Sequence, residues 1–185
     1  AKGLNVTCEV TSQHLSFTDE YLREYNPAFK MAPPIRSEDH RQALLEGLKD
    51  GTIDAIITDH APHAPHEKEL TMTKAAFGIV GSETAFSQLY TKFVKPGVFS
   101  LDFLVKKMSE NVADTFGLPY GRLKENGFAD LVVIDLEKSM EIDPNQFLSK
   151  GRNTPYIGEK IYGIPVLTLC EGSIAYQDKE VFSDL

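Results

Sequence analysis

The sequence predicts an α/β protein, and three observations carry that expectation. An apolar, β-branched segment from Ile53 to Ile57 runs directly into Thr58-Asp59-His60-Ala61-Pro62-His63, so a carboxylate and two imidazoles emerge where a buried strand ends. A strand-like alternation, a helix with both ends marked and that apolar strand follow one another in order, as in a parallel βαβ unit. Beyond Gly121, helical periodicity gives way to short strand-like runs separated by glycine, which predicts a β-rich second module. We therefore expect two parts, residues 1–120 and residues 121–185.

Taken in order, Leu4 to Val10 reads as a strand, because Val6, Cys8 and Val10 alternate with Asn5, Thr7 and Glu9. A long loop is expected from Gln13-His14 to Ala32-Pro33-Pro34, where consecutive prolines hold the chain extended. Ser37 is a suitable N-cap, Glu38 and Asp39 suit a first helical turn, and Ala43, Leu44 and Leu48 form an apolar stripe ending at Asp50-Gly51. Ile53 to Ile57 has the composition of a parallel strand covered on both faces. Ser82 is expected to cap a helix whose inner face is Ala85, Phe86, Leu89, Tyr90 and Phe93, and Ser100 a second one reaching Phe116-Gly117. Leu131–Ile134 and Val166–Leu169 read as strands, with Glu171-Gly172 as a hairpin turn before Ile174-Ala175-Tyr176.

Composition sets bounds on function. The 185 residues are 42% hydrophobic and 25% charged, which fits neither a disordered nor a membrane chain, and no apolar run approaches a spanning length. A net charge of -8 without a Lys/Arg cluster argues against a nucleic-acid partner. Cys8 and Cys170 lie far apart in sequence and are expected to be buried free thiols in a reducing compartment, which places the protein in the cytoplasm. Two strands cannot close a barrel, and an isolated strand-helix-strand unit would expose most of its apolar surface, so an N-terminal portion is expected upstream or on another chain.

The Asp-His loop is the candidate for chemistry, because barrel enzymes keep their active sites at the C-terminal ends of parallel strands. Asp59 could ligate a metal or move a proton, and His60 and His63 could bind a metal or an anion. Equally, such a run could be a hydrogen-bonded turn with no chemistry at all.

Several motifs in one order resolve that ambiguity. Asn26-Pro27, Lys30-Met31-Ala32-Pro33-Pro34-Ile35-Arg36, the Thr58–His63 run, Phe77-Gly78-Ile79-Val80-Gly81-Ser82-Glu83-Thr84, Asn126-Gly127-Phe128-Ala129-Asp130-Leu131 and Asn153-Thr154-Pro155-Tyr156-Ile157-Gly158 together resemble the C-terminal portion of bacterial-type dihydroorotases, in the amidohydrolase superfamily. The resemblance implies the C-terminal part of a distorted (β/α)8 TIM barrel, its last two strands and their helices, over residues 1–120. It further implies part of a small composite β-sandwich domain with a C-terminal tail over residues 121–185. On that map Leu4 to Val10 is the seventh barrel strand and Ile53 to Ile57 the eighth, and the family's other metal ligands, a His-x-His pair, a bridging Asp or carboxylated Lys and two single histidines, would precede Ala1.

For the site, the resemblance implies that Asp59 is both a zinc ligand and the group that takes a proton from the attacking water and hands it to the departing ring nitrogen. His63 would hold the substrate's carboxylate, and Phe77 with Gly78 would line the pocket through their backbones. Ala32 stands where the family usually has a substrate-contacting Asn, which removes one side-chain amide from that edge. His14 is expected to be structural, His40 to lie on the exposed side of a helix, and His66 to sit in a mobile loop beside Glu67 and Lys68. The implied reaction is the zinc-dependent, reversible cyclisation of N-carbamoyl-L-aspartate to dihydroorotate in pyrimidine biosynthesis, with one or two zinc ions. These 185 residues alone are expected to be inactive. The alternatives are a related cyclic-amide hydrolase (allantoinase or hydantoinase) and a non-catalytic subunit scaffolding aspartate transcarbamoylase. A homodimer and that transcarbamoylase are the macromolecular partners left open.

Overall fold

The computed structural model describes residues 4 and 6–182. Two strands, β1 (Glu9–Thr11) and β2 (Ala55–Ile57), pair in parallel, with Glu9 opposite Ala55, Val10 opposite Ile56 and Thr11 opposite Ile57. The first strand is therefore shorter and lies further along the chain than the alternation from Leu4 predicts. Asn5 falls outside the described residues, and Leu4 and Val6 are exposed. Ladder bonds form only opposite β2, and ahead of them Cys8 is held by Asp54, whose Oδ2 accepts the Cys8 N–H at 2.8 Å. Cys8 and Cys170 are free, as expected, but both are exposed rather than buried. Cys8 lies just ahead of β1, where its Sγ is 3.0 Å from Thr52 O.

The crossover contains more structure than the expected loop. It opens with α1 (Ser12–Ser16), capped by Thr11, whose side chain accepts the His14 N–H, and it continues through 3-10 turns at Asp19–Leu22 and Pro27–Phe29. Helix α2 (Glu38–Asp50) starts after Ser37 and stops at Gly51, whose φ of 84° is the left-handed conformation that glycine adopts freely. The Ser37 hydroxyl pairs with His40 Nδ1 at 3.0 Å instead of capping the helix. The apolar stripe is also rotated from the predicted one. Leu45 and Leu48 are buried and Leu44 partly so, while Ala43 is exposed, because the helix turns the 41-44-45-48 face toward α1 and Arg41 bonds Leu15 O at 3.1 Å.

After β2 come α3 (Pro65–Lys68) and α4 (Ala85–Leu89), the latter running on as a π-helical turn over Tyr90–Val94. The residue preceding α4 is Thr84, not Ser82. Helix α5 (Leu101–Val105) is capped as predicted, Ser100 Oγ accepting Phe103 N–H at 3.0 Å. A second π turn leads into α6 (Asn111–Phe116), which ends at Gly117. Leu15, Leu48, Ile56, Leu89, Phe93 and Leu104 form the centre of the core around β2. The carbonyls where β2 begins are not wasted: Lys107 Nζ donates to Ile53 O and Asn111 Nδ2 to Asp54 O.

The remaining strands, β3 (Leu131–Glu141), β4 (Lys160–Cys170) and β5 (Ser173–Gln177), make one antiparallel sheet in the order β3-β4-β5. The β4–β5 hairpin turns at Glu171 and Gly172, both at positive φ (50° and 78°), as a two-residue turn matching strand twist requires. The sheet is seated on α4 and the π turn that follows it by side chains: Ser87 Oγ donates to Gly163 O at 2.7 Å and Tyr162 N–H to Thr91 Oγ1 at 2.8 Å. A second core joins Phe17, Met31 and Ile35 to Ile142, Tyr156 and Ile161, with Phe17 stacked on Tyr156 at 4.7 Å.

Candidate functional site

The chain leaves β2 at Ile57 and turns sharply. Asp59 lies at φ 46°, a conformation rare for residues other than glycine and best tolerated by Asn and Asp. Asp59 is exposed there, and among the described residues its carboxylate has no hydrogen-bond or ion-pair partner. Unlike Asp59, its neighbour His60 is fully engaged on one side. Its Nδ1 accepts the N–H groups of Gly81 (3.1 Å) and Ser82 (3.2 Å), so the ring hydrogen is on Nε2. His60 also bridges Ile79 in parallel, and Ala61 N–H donates to Ile79 O at 2.8 Å.

Gly78 cannot carry a side chain. Its φ is 118°, and a Cβ would stand 2.4 Å from Ala61 Cβ. That close approach brings residue 78 against the loop, and His63 Nε2 donates to Phe77 O at 2.8 Å while Nδ1 faces Glu67 Oε2 at 3.7 Å. Phe77 is 57% exposed, so its ring lies open beside this group, with the Lys30 ammonium 4.4 Å from the ring centre. Asp59, His60, His63, Phe77 and Gly78 thus belong to one platform. Ala32 is exposed, and the loop it belongs to is anchored by His14, whose Nε2 donates to Pro33 O at 2.8 Å and whose Nδ1 lies 2.5 Å from Thr11 Oγ1. His14 is a structural hydrogen-bonding residue, and His40 is exposed on α2.

Residues to which the sequence assigned no role hold the platform together. Lys68 lies in a helix, not a mobile loop. Pro65 at its first turn and the Glu67 carboxylate accepting Ala64 N–H at 3.0 Å are helix-start signals that were present in the sequence. Its buried ammonium donates to the carbonyls of Lys30 (2.9 Å), Ala76 (3.0 Å) and Gly78 (2.7 Å), and burial, helped by the Lys30 charge, pushes it down to about 8. Asn153, inside a motif already conspicuous in the sequence, reaches the same loop from ninety residues away. Among the described residues no three His, Cys, Asp or Glu side chains cluster, so the local Asp59-His60-His63 trio does not form a metal site by itself. Nor, among them, is any helix long and apolar enough to cross a membrane.

Comparison with known proteins now adds to this geometry. The model of the amidohydrolase family matches residues 2–175. The chain is 65% identical over 178 residues to a dihydroorotase of Fusobacterium nucleatum, covering 96% of this chain and 42% of that protein. It is 55% identical to the dihydroorotase of Staphylococcus aureus (95% and 41% covered) and 52% identical to that of Listeria monocytogenes (97% and 42%). Among solved structures, an L-hydantoinase from Arthrobacter aurescens superposes with a TM-score of 0.89 at 34% identity, over 95% of this chain and 40% of that one. A D-hydantoinase from Thermus sp. superposes with a TM-score of 0.87 at 25% identity, over 96% and 40%. The chain spans about two fifths of the length of these relatives, 42% in the first.

Proposed function

The chain belongs to the amidohydrolase family, and from that membership we propose that the complete protein is a dihydroorotase, interconverting N-carbamoyl-L-aspartate and dihydroorotate. One observation carries the choice within the family: identity to the three proteins named dihydroorotase is 52–65%, against 34% to the hydantoinase that superposes on the fold. Residues 1–120 would then be the last part of the hydrolase barrel and residues 121–185 a portion of its β-sandwich, with the small-molecule substrate handled in the cytoplasm.

Asp59 suits a role as a metal ligand because its carboxylate stands exposed and, among the described residues, unpartnered at the end of a parallel strand. One carboxylate is a single ligand, and a zinc site needs three or four, so the others would come from residues of the complete protein outside these 185. When bound, zinc would polarise the scissile amide and ease deprotonation of water. Asp59 itself would take the proton of the attacking water and deliver it to the departing ring nitrogen, its freedom from other partners leaving both oxygens available. His63 Nε2–H, which is donated to Phe77 O at 2.8 Å, would turn to the substrate's carboxylate. Phe77 and Gly78 would bring backbone close to the ring, since glycine at 78 leaves that surface bare. Ala32 offers no side-chain amide, so recognition there would rest on backbone groups.

The test is turnover of dihydroorotate, hydantoin and allantoin by the purified complete protein. Preference for dihydroorotate is expected, and preference for either other ring would reassign the enzyme to a neighbouring cyclic-amide hydrolase. Absence of turnover on all three would favour a scaffolding subunit.

A further inference from the structure

Building on the dihydroorotase reading above, we propose that Asn153 is the positioning residue of the active-site platform, fixing His63 and Gly78 in one relation to each other and so setting substrate affinity. Its side-chain oxygen accepts the His63 N–H at 2.8 Å. Its amide nitrogen donates to Ala61 O at 2.9 Å and to Gly78 O at 3.2 Å. Its backbone carbonyl accepts Val80 N–H at 2.9 Å. The amide orientation is forced, because a flipped group would set oxygen against two carbonyls and nitrogen against an N–H. Only a residue with one acceptor and two donors at this reach satisfies all three contacts. Asp lacks the donors and Gln is one methylene too long.

The segment around Asn153 is built to hold it still. A Cβ on Gly151 would lie 2.6 Å from Pro62 Cβ, so this backbone runs flush beneath the loop that carries Asp59 and His63. Upstream, the Glu83 carboxylate accepts the N–H groups of Leu148 (2.8 Å) and Ser149 (3.0 Å), and Arg152 Nη1 donates to Phe147 O (2.5 Å) and Ser149 O (3.2 Å). The segments 60–63 and 77–81 share a single isolated bridge, His60 to Ile79, and no continuous ladder. Beyond that bridge and the Ala61–Ile79 backbone bond, side chains tie the two segments, His60 and His63 directly and Asn153 from behind. Asn153 stands behind the residues proposed to touch substrate, so its effect travels through them and falls on binding more than on the chemical step.

The experiment uses the complete protein with the Asn153→Ala and Asn153→Asp variants, and Arg23→Gln, whose exposed bond to Glu20 lies outside the platform and its supports, as a control. Both Asn153 variants are expected to raise KM for dihydroorotate about tenfold or more while kcat stays within about threefold, and Arg23→Gln to keep KM within about twofold. Asn153→Asp, nearly isosteric, keeps the acceptor but sets an oxygen against the two carbonyls, so it should not rescue. Hydrogen exchange reads the same contacts without activity: the His63 amide should exchange at least about tenfold faster in Asn153→Ala, which loses its acceptor, with β3–β4 amides unchanged. An unchanged His63 exchange rate in Asn153→Ala, or a folded Asn153 variant with unchanged KM, overturns the proposal. If the wild-type protein does not turn over dihydroorotate, the functional reading falls and the exchange result alone decides the role of Asn153.

Discussion

The platform around Asp59 and the antiparallel sheet β3–β5 are held by different kinds of bond. In the sheet, backbone pairs with backbone from Leu131–Leu169 to Glu141–Lys160, so its shape follows from a ladder that many sequences would satisfy. In the platform, side chains hold backbone: His60 caps the amides of Gly81 and Ser82, Lys68 gathers three carbonyls, and Asn153 spans two segments. Irregular backbone can take up the left-handed Asp59 and the bare Gly78 only if particular side chains satisfy its polar groups. The lesson is that the platform's geometry resides in a few residue identities, whereas that of the sheet resides in its pattern.

That contrast is open to direct attack. The largest effect is expected from Asp59→Asn in the complete protein, which should cut turnover about a thousandfold or more while leaving far-UV circular dichroism unchanged, because the proposed general base goes and, among the described residues, no side-chain contact does. Gly78→Ala should follow, costing about 3 kcal/mol in a urea titration together with most of the activity, since a Cβ meets Ala61 at 2.4 Å and φ is 118°.

Lys68→Met should cost about 2 kcal/mol near neutral pH, because three carbonyls, that of Gly78 buried and those of Lys30 and Ala76 partly so, lose their donor. The cost should then change with pH in a definite direction. Lys68 titrates at about 8 in the folded protein against an ordinary 10.5, so across that window the unfolded chain binds more protons and the wild type gains stability as pH rises. The gap between wild type and Lys68→Met in urea melts should therefore widen from pH 8 to 10.5, and a narrowing gap would contradict the burial of a charged ammonium. The smallest effect belongs to the sheet. Glu171→Asn, at φ 50° in the β4–β5 turn, should raise stability by about 0.5 kcal/mol and leave activity alone.

How much was legible in the sequence divides along the same line. The Asp59 loop stood out because a β-branched run ends abruptly in polar residues, and the helix over residues 38–50 because Ser37 and Gly51 bracket it. The β4–β5 hairpin was visible in Glu171-Gly172. Helix α1 was hidden because five residues give no periodicity, although Thr11 caps it through His14 N–H at 3.3 Å. Cys8 looked buried from alternation alone, yet it lies just ahead of the short ladder. The role of Asn153 was invisible for a stronger reason: side-chain bonds across ninety residues leave no local signal, and only the motif around it marked the place.

The most direct test is a crystal structure of the complete protein with dihydroorotate bound. We predict the ring between Asp59 and the Phe77-Gly78 backbone, an Asp59 oxygen within about 3.2 Å of the ring amide, and the substrate carboxylate on His63. Dihydroorotate bound with Asp59 out of hydrogen-bond reach of that amide would contradict the assignment.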